Sequence, residues 1–218
     1  RKLNKFGKVG VIGHSEGGTI AFMLGAEKSV DFLVSLAGSA ANGIDVIVGQ
    51  NEAMMQQQGV PQEIIGNYAK ALRILYKDRV EGKEINDPVR YTEDLCNAEN
   101  LTLPGALKTN LSKCLSAGGE WFTWFLGYSP AEAIRKVACP VMALNGTLDL
   151  QVLSKDNIPV IRDNLPSNSK NIIKEYESLN HLFQYCTPAT ALNYGAIEET
   201  ISEEVLSDMV GWINELND

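Results

Sequence analysis

Short apolar runs and longer amphipathic stretches alternate near both ends of the chain. The first two apolar runs are continuous and rich in Val, Ile and Leu, which is typical of parallel strands buried on both faces. The predicted strands cover residues 8–13, 30–38, 140–146 and 170–177. Helical patterns follow at residues 16–28, 154–165 and 202–216. This alternation predicts an α/β fold with a mostly parallel sheet flanked by helices.

The closing stretch 202–216 has the clearest amphipathic pattern in the chain. Ser202 followed by Glu203 and Glu204 suits the first turn of a helix. The apolar positions predicted to share one face are Val205, Leu206, Met209, Trp212, Ile213 and Leu216.

The periodicity changes between residues 40 and 135. The segment 61–80 has apolar residues at helical spacing, and the segment 104–119 repeats leucine every fourth position before two glycines. No strand pattern occurs between residues 40 and 135. The sequence therefore predicts a helical insertion, the cap (40–135), between two parts of one core, 1–39 and 136–218.

The composition and charge of the chain argue against some classes of binding partner. The 218 residues carry a formal net charge of −8 and no Lys/Arg cluster, which argues against nucleic acid or an anionic membrane surface as a partner. No apolar run approaches the roughly 20 residues that span a bilayer. The four cysteines form no C-x-x-C pair and the chain has two histidines, so we expect no metal site. The sequence leaves undecided whether Cys96 and Cys114 form a disulfide. It also leaves the cellular compartment undecided between cytoplasmic, periplasmic and secreted.

The stretch Gly13-His14-Ser15-Glu16-Gly17 matches G-x-S-x-G at a predicted strand-to-helix turn. In that setting the serine takes a strained conformation, its hydroxyl projects above the sheet, and small residues avoid collisions at the turn. We expect Gly13, Gly17 and Gly18 to relieve these collisions, Ser15 to be a nucleophile, and the Glu16 backbone N–H to face an oxyanion. The alternative is a glycine-rich turn with Ser15 as a helix N-cap.

A serine nucleophile needs a base and a group that orients the base. His14 lies beside Ser15 in the turn and cannot easily reach its hydroxyl, which leaves His181, in a loop after the last strand. Asp149 follows the end of a strand, where the loops of an open parallel sheet gather, whereas Asp156 and Asp163 fit solvated helix positions. The chain order Ser15, Asp149, His181 is the one expected for an α/β-hydrolase triad.

With these motifs the sequence resembles the α/β-hydrolase superfamily, specifically bacterial carboxylesterases related to dienelactone hydrolases and serine aminopeptidases. The resemblance lies in the Gly-His-Ser-Glu-Gly-Gly turn and in segments 34–50, 121–152, 179–184 and 194–213. It covers most of the chain and is weakest over 51–120. It implies hydrolysis of small-molecule esters with short acyl groups, no cofactor, and a helical cap after the second strand counted here.

The chain departs from that family at its beginning. The family places four strands before the nucleophile strand, and one of their loops supplies the second oxyanion N–H; here only seven residues precede the strand 8–13. We therefore expect the C-terminal part of a larger α/β-hydrolase, with at most half of the oxyanion hole. Strand 8–13 would then be an exposed edge that pairs with a second copy, as a homodimer, or with a separate N-terminal segment.

Two questions stay open from the sequence. Trp121, Trp124 and Phe125 either line an acyl pocket or belong to a cap helix that packs onto the core. The function is either ester hydrolysis, peptidase or aminopeptidase activity with the same residues, or, in a different class, a catalytically inert fragment that acts as an interaction module.

Overall fold

A computed structural model describes residues 7–216, which divide into two compact units. One unit, the core unit, combines residues 7–41 and 129–216, and the other, the helical unit, is Asn42–Tyr128. The helical unit falls inside the predicted insertion 40–135. The strands are β1 (Gly10–His14), β2 (Phe32–Leu36), β3 (Val141–Gly146) and β4 (Ile172–Tyr176). The helices are α1 (Glu16–Ala26), α2 (Gly43–Gln57), α3 (Gln62–Val80), α4 (Pro88–Ala98), α5 (Gly105–Cys114), α6 (Gly119–Gly127), α7 (Ala131–Ile134), α8 (Ser154–Asn164) and α9 (Glu203–Glu215).

The four strands of the core unit form one parallel sheet in the order β1-β2-β3-β4. Gly13 is in register with Ser35, and Ser35 with Ala143, so the strands end at a common edge. Parallel neighbours need crossovers, and here helices provide them. The α/β fold with a parallel sheet flanked by helices is therefore confirmed.

Each face of the sheet has its own apolar core. Val34, Leu36, Met142 and Leu144 pack with α9 on one face. Leu33, Val141 and Ala143 alternate with them along the same strands and pack with α1 and α8 on the other face. Burial on both faces explains why the strands appear in the sequence as continuous apolar runs rather than as alternating ones.

Helix α9 follows the predicted amphipathic pattern with one exception. Val205, Met209, Trp212 and Leu216 are buried against the sheet, but the Leu206 side chain is 42% exposed. Leu206 lies about 100° around the helix from Val205, beyond the narrow stripe that the sheet covers. Its inclusion in the buried face was therefore wrong.

The helical unit has a separate apolar core. Its largest fully buried side chains are Tyr68, Ile65, Leu72, Leu75, Leu111 and Leu126. Helix α3 matches the predicted helix 61–80 closely, while α5 ends before the glycines that the sequence suggested as its end. No strand occurs in residues 42–128, as predicted. All four cysteines have free thiols, so Cys96 and Cys114 are not bonded to each other.

Strand β1 lies at one edge of the sheet. Within residues 7–216 it pairs with β2 on one side, and its other side has no strand. The Ile12 side chain at this edge is 49% exposed. The predicted exposed edge is therefore present in the described part of the chain. No helix among the described residues is both long enough and apolar enough to cross a bilayer.

Candidate active site

Ser15, Asp149 and His181 all lie just beyond the carboxyl ends of strands in the core unit. Ser15 follows β1, Asp149 lies in the loop after β3, and His181 lies in the loop after β4. Because the carboxyl ends of parallel strands share one edge of a sheet, these loops meet there. Chain segments that are far apart in sequence thus contribute to one region.

The turn at Ser15 has the strained backbone that the motif predicts. Ser15 has φ 56° and ψ −123°, a combination that costs a non-glycine residue on the order of 1–3 kcal/mol. Its N–H donates to the carbonyl of Leu36 at 2.8 Å, and its carbonyl accepts from the N–H of Gly18 at 2.9 Å. The hydroxyl makes no capping hydrogen bond to α1. The N-cap alternative is therefore not supported, and the strain is held by the sheet on one side and the helix on the other.

At two of the three glycines in this turn there is no space for a side chain. A Cβ on Gly13 would lie 1.9 Å from the carbonyl oxygen of Gly17, and one on Gly18 would lie 2.6 Å from the Cα of Gly38. A Cβ on Gly17 would meet no atom within 4 Å. The expectation of crowding is wrong at Gly17, because this position faces away from the contact between α1 and β2.

Asp149 and His181 form a buried pair. Nδ1 of His181 lies 2.8 Å from Oδ2 of Asp149, and the two residues are 3% and 2% exposed, respectively. The carboxylate accepts, so Nδ1 carries the proton and Nε2 keeps its lone pair in the neutral ring. Oδ1 of Asp149 accepts the backbone N–H groups of Gln151 at 2.8 Å and Val152 at 2.9 Å. The arrangement fixes the tautomer of His181 and leaves Nε2 as a base.

Asn145 supports the loop that carries Asp149, a role that the sequence did not suggest. Its side-chain amide donates to the carbonyl of Val152 at 3.0 Å and lies 3.4 Å from Oδ2 of Asp149. The signal in the sequence was a polar side chain at the end of an otherwise apolar, fully buried strand. Such a group must find partners, and here it finds them in the acid loop.

The side chain of Asn180 forms hydrogen bonds within the loop that carries His181. Oδ1 of Asn180 accepts the N–H groups of Leu182 at 2.9 Å and Gln184 at 3.1 Å. Asn180 is fully buried, so these bonds are shielded from water. They hold the backbone beside His181 in one conformation.

His14 contacts His181 directly. Its Nε2 lies 2.8 Å from the carbonyl oxygen of His181, and the two ring centroids are 4.6 Å apart. Desolvation lowers the pKa of His14 below its ordinary value, and the opposing effect of the hydrogen bond to the His181 carbonyl is smaller. Nε2 of His14 is thus engaged by a backbone carbonyl, and the expectation that His14 is not the base stays a prediction.

Ser15 and His181 are neighbours in this edge region but are not joined. Among residues 7–216 no hydrogen bond links the Ser15 hydroxyl to Nε2 of His181. Hydrogen bonds of this kind are often long without substrate and shorten when it binds. The pairing of Asp149 with His181 is thus present, whereas the link to Ser15 stays a prediction.

The aromatic residues of α6 stack along their own helix. The rings of Trp121 and Phe125 are 5.7 Å apart, and those of Trp124 and Tyr128 are 4.8 Å apart. Trp121 and Trp124 are both about half exposed, at 52% and 47%. The side chains are not fully covered within the helical unit, and their predicted role in an acyl pocket stays a prediction.

Metal-ligating side chains are not clustered in the described part of the chain. Residues 7–216 contain no group of three or more His, Cys, Asp or Glu side chains placed to hold a metal ion.

Comparison with known proteins bears on the fold. No protein-family model and no curated protein sequence matches the chain. A solved structure of VinJ matches over 99% of this chain and 68% of its own, with a TM-score of 0.50 and 15% identity. At this identity the likeness shows the fold alone.

Two further solved structures match more loosely. A bacterial membrane phospholipase A described as a virulence factor matches 97% of this chain, with a TM-score of 0.45 and 15% identity. An esterase from Exiguobacterium antarcticum matches 98%, with a TM-score of 0.45 and 13% identity. The chain spans 58% of the length of the phospholipase and 69% of the length of the esterase.

Proposed function

We propose that this chain belongs to a serine hydrolase of the α/β-hydrolase superfamily that cleaves small carboxylic esters. The observation that carries the proposal is the buried hydrogen bond between Asp149 and His181, 2.8 Å long, at the sheet edge that also holds Ser15. A carboxylate hydrogen-bonded to one imidazole nitrogen orients the ring and fixes its tautomer, so that the other nitrogen can take the proton of a serine hydroxyl. The strained turn at Ser15 is the second support.

The reaction follows from the roles of these three groups. Oγ of Ser15 attacks the ester carbonyl while Nε2 of His181 takes the hydroxyl proton, and Asp149 stabilises the imidazolium that results. The Glu16 backbone N–H stabilises the oxyanion of the tetrahedral intermediate. The C–O bond to the leaving alkoxide then breaks as His181 returns the proton to it. Water repeats the sequence on the acyl-enzyme and releases the carboxylic acid.

Labelling with a fluorophosphonate probe tests the nucleophile. We expect intact mass spectrometry to show one adduct on the wild-type chain and none on Ser15→Ala, because an activated serine displaces fluoride from phosphorus. Ser116→Ala is the matched control, since Ser116 is an exposed serine of the helical unit, and it should label like the wild type.

The outcomes separate the competing functions. Labelling together with hydrolysis of a short acyl ester, but not of an aminoacyl anilide, supports the esterase over the peptidase. A well-folded chain that takes no adduct contradicts activity of this chain alone and favours an inert fragment. An adduct that survives in Ser15→Ala contradicts the choice of nucleophile.

We also propose that the free edge of β1 pairs with another strand, which is a second copy of this chain when no N-terminal segment is supplied. A strand edge that no strand of residues 7–216 covers, with a half-exposed apolar residue, Ile12, is a template for such pairing. Sedimentation equilibrium at micromolar concentration should show a dimer, and Ile12→Lys should shift it to monomer. Val210→Lys on the exposed side of α9 is the control and should stay dimeric. A wild-type chain that sediments as a clean monomer contradicts this pairing.

A further inference from the structure

His14 connects the turn of the nucleophile to the loop of the base. It directly precedes Ser15, and its Nε2 lies 2.8 Å from the backbone carbonyl oxygen of His181. A carbonyl only accepts, so the hydrogen in this bond belongs to Nε2 of His14. In its neutral form the His14 ring is therefore protonated at Nε2 and unprotonated at Nδ1.

His181 is consequently held at two points. Asp149 holds the ring at Nδ1, and His14 holds the backbone carbonyl of the same residue. The first contact sets the tautomer and one edge of the ring, and Asn180 fixes the conformation within the loop, but neither ties the loop to β1. The second contact fixes that backbone relative to β1, which is the strand that carries Ser15 into the turn.

The neighbours of His14 favour a neutral donor, and the residue itself is exposed at the end of β1. Its ring lies 4.6 Å from the ring of His181 and has the edge of Phe183 as a further neighbour at 6.5 Å. In the proposed reaction His181 becomes an imidazolium, and a second positive ring at this distance would oppose that charge. A neutral N–H donor supplies the hydrogen bond without the repulsion.

We propose that His14 is a positioning residue, whose neutral Nε2–H hydrogen bond to the His181 carbonyl sets the position of Nε2 of His181 relative to Ser15. This inference rests on the proposed function, since it gives the base a partner on the nucleophile strand. A displacement of about 1 Å of a reacting group costs about 10²-fold in rate, so a single backbone anchor of this kind matters for catalysis.

The two histidines make the proposal directly observable by NMR. The chain contains two histidines, so a protein labelled with ¹⁵N-histidine has two imidazoles in its long-range ¹H–¹⁵N spectrum. Near neutral pH we expect one ring with the proton on Nε2, which is His14, and one with the proton on Nδ1, which is His181. His14→Gln identifies the signals by removing one of them.

Two variants separate the hydrogen bond from the volume of the ring. His14→Leu removes the donor, and we expect labelling of Ser15 by the fluorophosphonate probe to slow about 10-fold to 100-fold. His14→Gln keeps an amide N–H that can reach the same carbonyl, and we expect it to restore most of that rate. Ile20→Ala, an exposed position of α1, is the control and should label like the wild type. Circular dichroism and thermal melting show whether each variant is folded.

The NMR readout keeps this proposal distinct from the proposed function. His14 protonated at Nδ1, or a His181 signal that is the same in the wild type, His14→Leu and His14→Gln, overturns the positioning role even if Ser15 is labelled. Equal labelling rates for His14→Leu and the wild type also overturn it. The expected pair of tautomers without any labelling of Ser15 supports the anchor and contradicts hydrolase activity of this chain alone. If His14→Leu does not fold, the wild-type tautomers and the His14→Gln rate still decide.

Discussion

Replacing Asp149 with asparagine is expected to slow the acylation of Ser15 about 10⁴-fold, the loss typical of an amide in place of a triad carboxylate. The reason lies in the orientation of the new side chain. Two backbone N–H groups, those of Gln151 and Val152, already bind Oδ1 of Asp149. They will keep the amide oxygen of asparagine at that place and turn its NH₂ group toward His181.

An NH₂ group next to Nδ1 of His181 reverses the tautomer. The amide donates, so Nδ1 must accept, and the ring proton moves to Nε2. A ring protonated at Nε2 cannot take the proton of the Ser15 hydroxyl. The second-order rate constant for labelling by the fluorophosphonate probe measures the effect without requiring a known substrate.

Asp163→Asn is the matched control for this substitution. It makes the same chemical change at an exposed position of α8 and should leave the labelling rate unchanged. If Asp149→Asn labels within tenfold of the wild type while remaining folded, Asp149 does not orient the base. The tautomer of His181 in the ¹⁵N spectrum gives an independent check.

The second large effect is expected at Gly13. A Cβ at this position would lie 1.9 Å from the carbonyl oxygen and 2.2 Å from the carbonyl carbon of Gly17. Both atoms belong to the backbone of the first turn of α1, which cannot move away as the end of a flexible side chain does. We expect Gly13→Ala to lower the free energy of unfolding by about 3 kcal/mol, the upper part of the range for overpacking. Urea unfolding followed by circular dichroism measures it.

Gly17→Ala provides a control within the same turn. No atom lies within 4 Å of its Cβ, and alanine is favoured over glycine within a helix by up to about 1 kcal/mol. We expect unfolding at an equal or slightly higher urea concentration. Similar losses of stability in both variants would show that the turn tolerates no side chain at either position, contrary to the packing described here.

The strands were predictable because burial on both faces leaves a simple signature. In the sheet, β2 and β3 have apolar side chains at every position except Ser35, Asn145 and Gly146, and their predicted positions agree with the structure to within a few residues. The prediction of the helical unit was less complete. Helix α2 (Gly43–Gln57) was not predicted, because its first half is rich in β-branched Ile and Val and its end is polar, which gives little helical signal. Packing against α3 and α6 stabilises this helix, and that packing cannot be inferred from its own sequence pattern.

The candidate site residues were predictable as residue types and as a chain order. A strained serine after a strand, an aspartate after another strand and a histidine after the last one are properties of local sequence. Their supporting groups were not. Asn145 and Asn180 had no role from their local sequence, because the groups that their side chains bind depend on how the following loop folds. His14 was set aside as a base without a further role, because its partner lies in a distant loop.

By itself the sequence determined the α/β class, the parallel strands, the strained turn at Ser15 and the candidate residues Asp149 and His181. These depend on local patterns: apolar runs, glycines beside a serine, and polar residues after strand ends. Only the tertiary structure decided that Asp149 and His181 are paired, that Gly17 is free of crowding, that Leu206 is exposed and that His14 binds the carbonyl of His181. The physical reason is that hydrogen bonds and steric contacts depend on distances between atoms that are far apart in the chain, and those distances exist only once the sheet brings its loops to one edge.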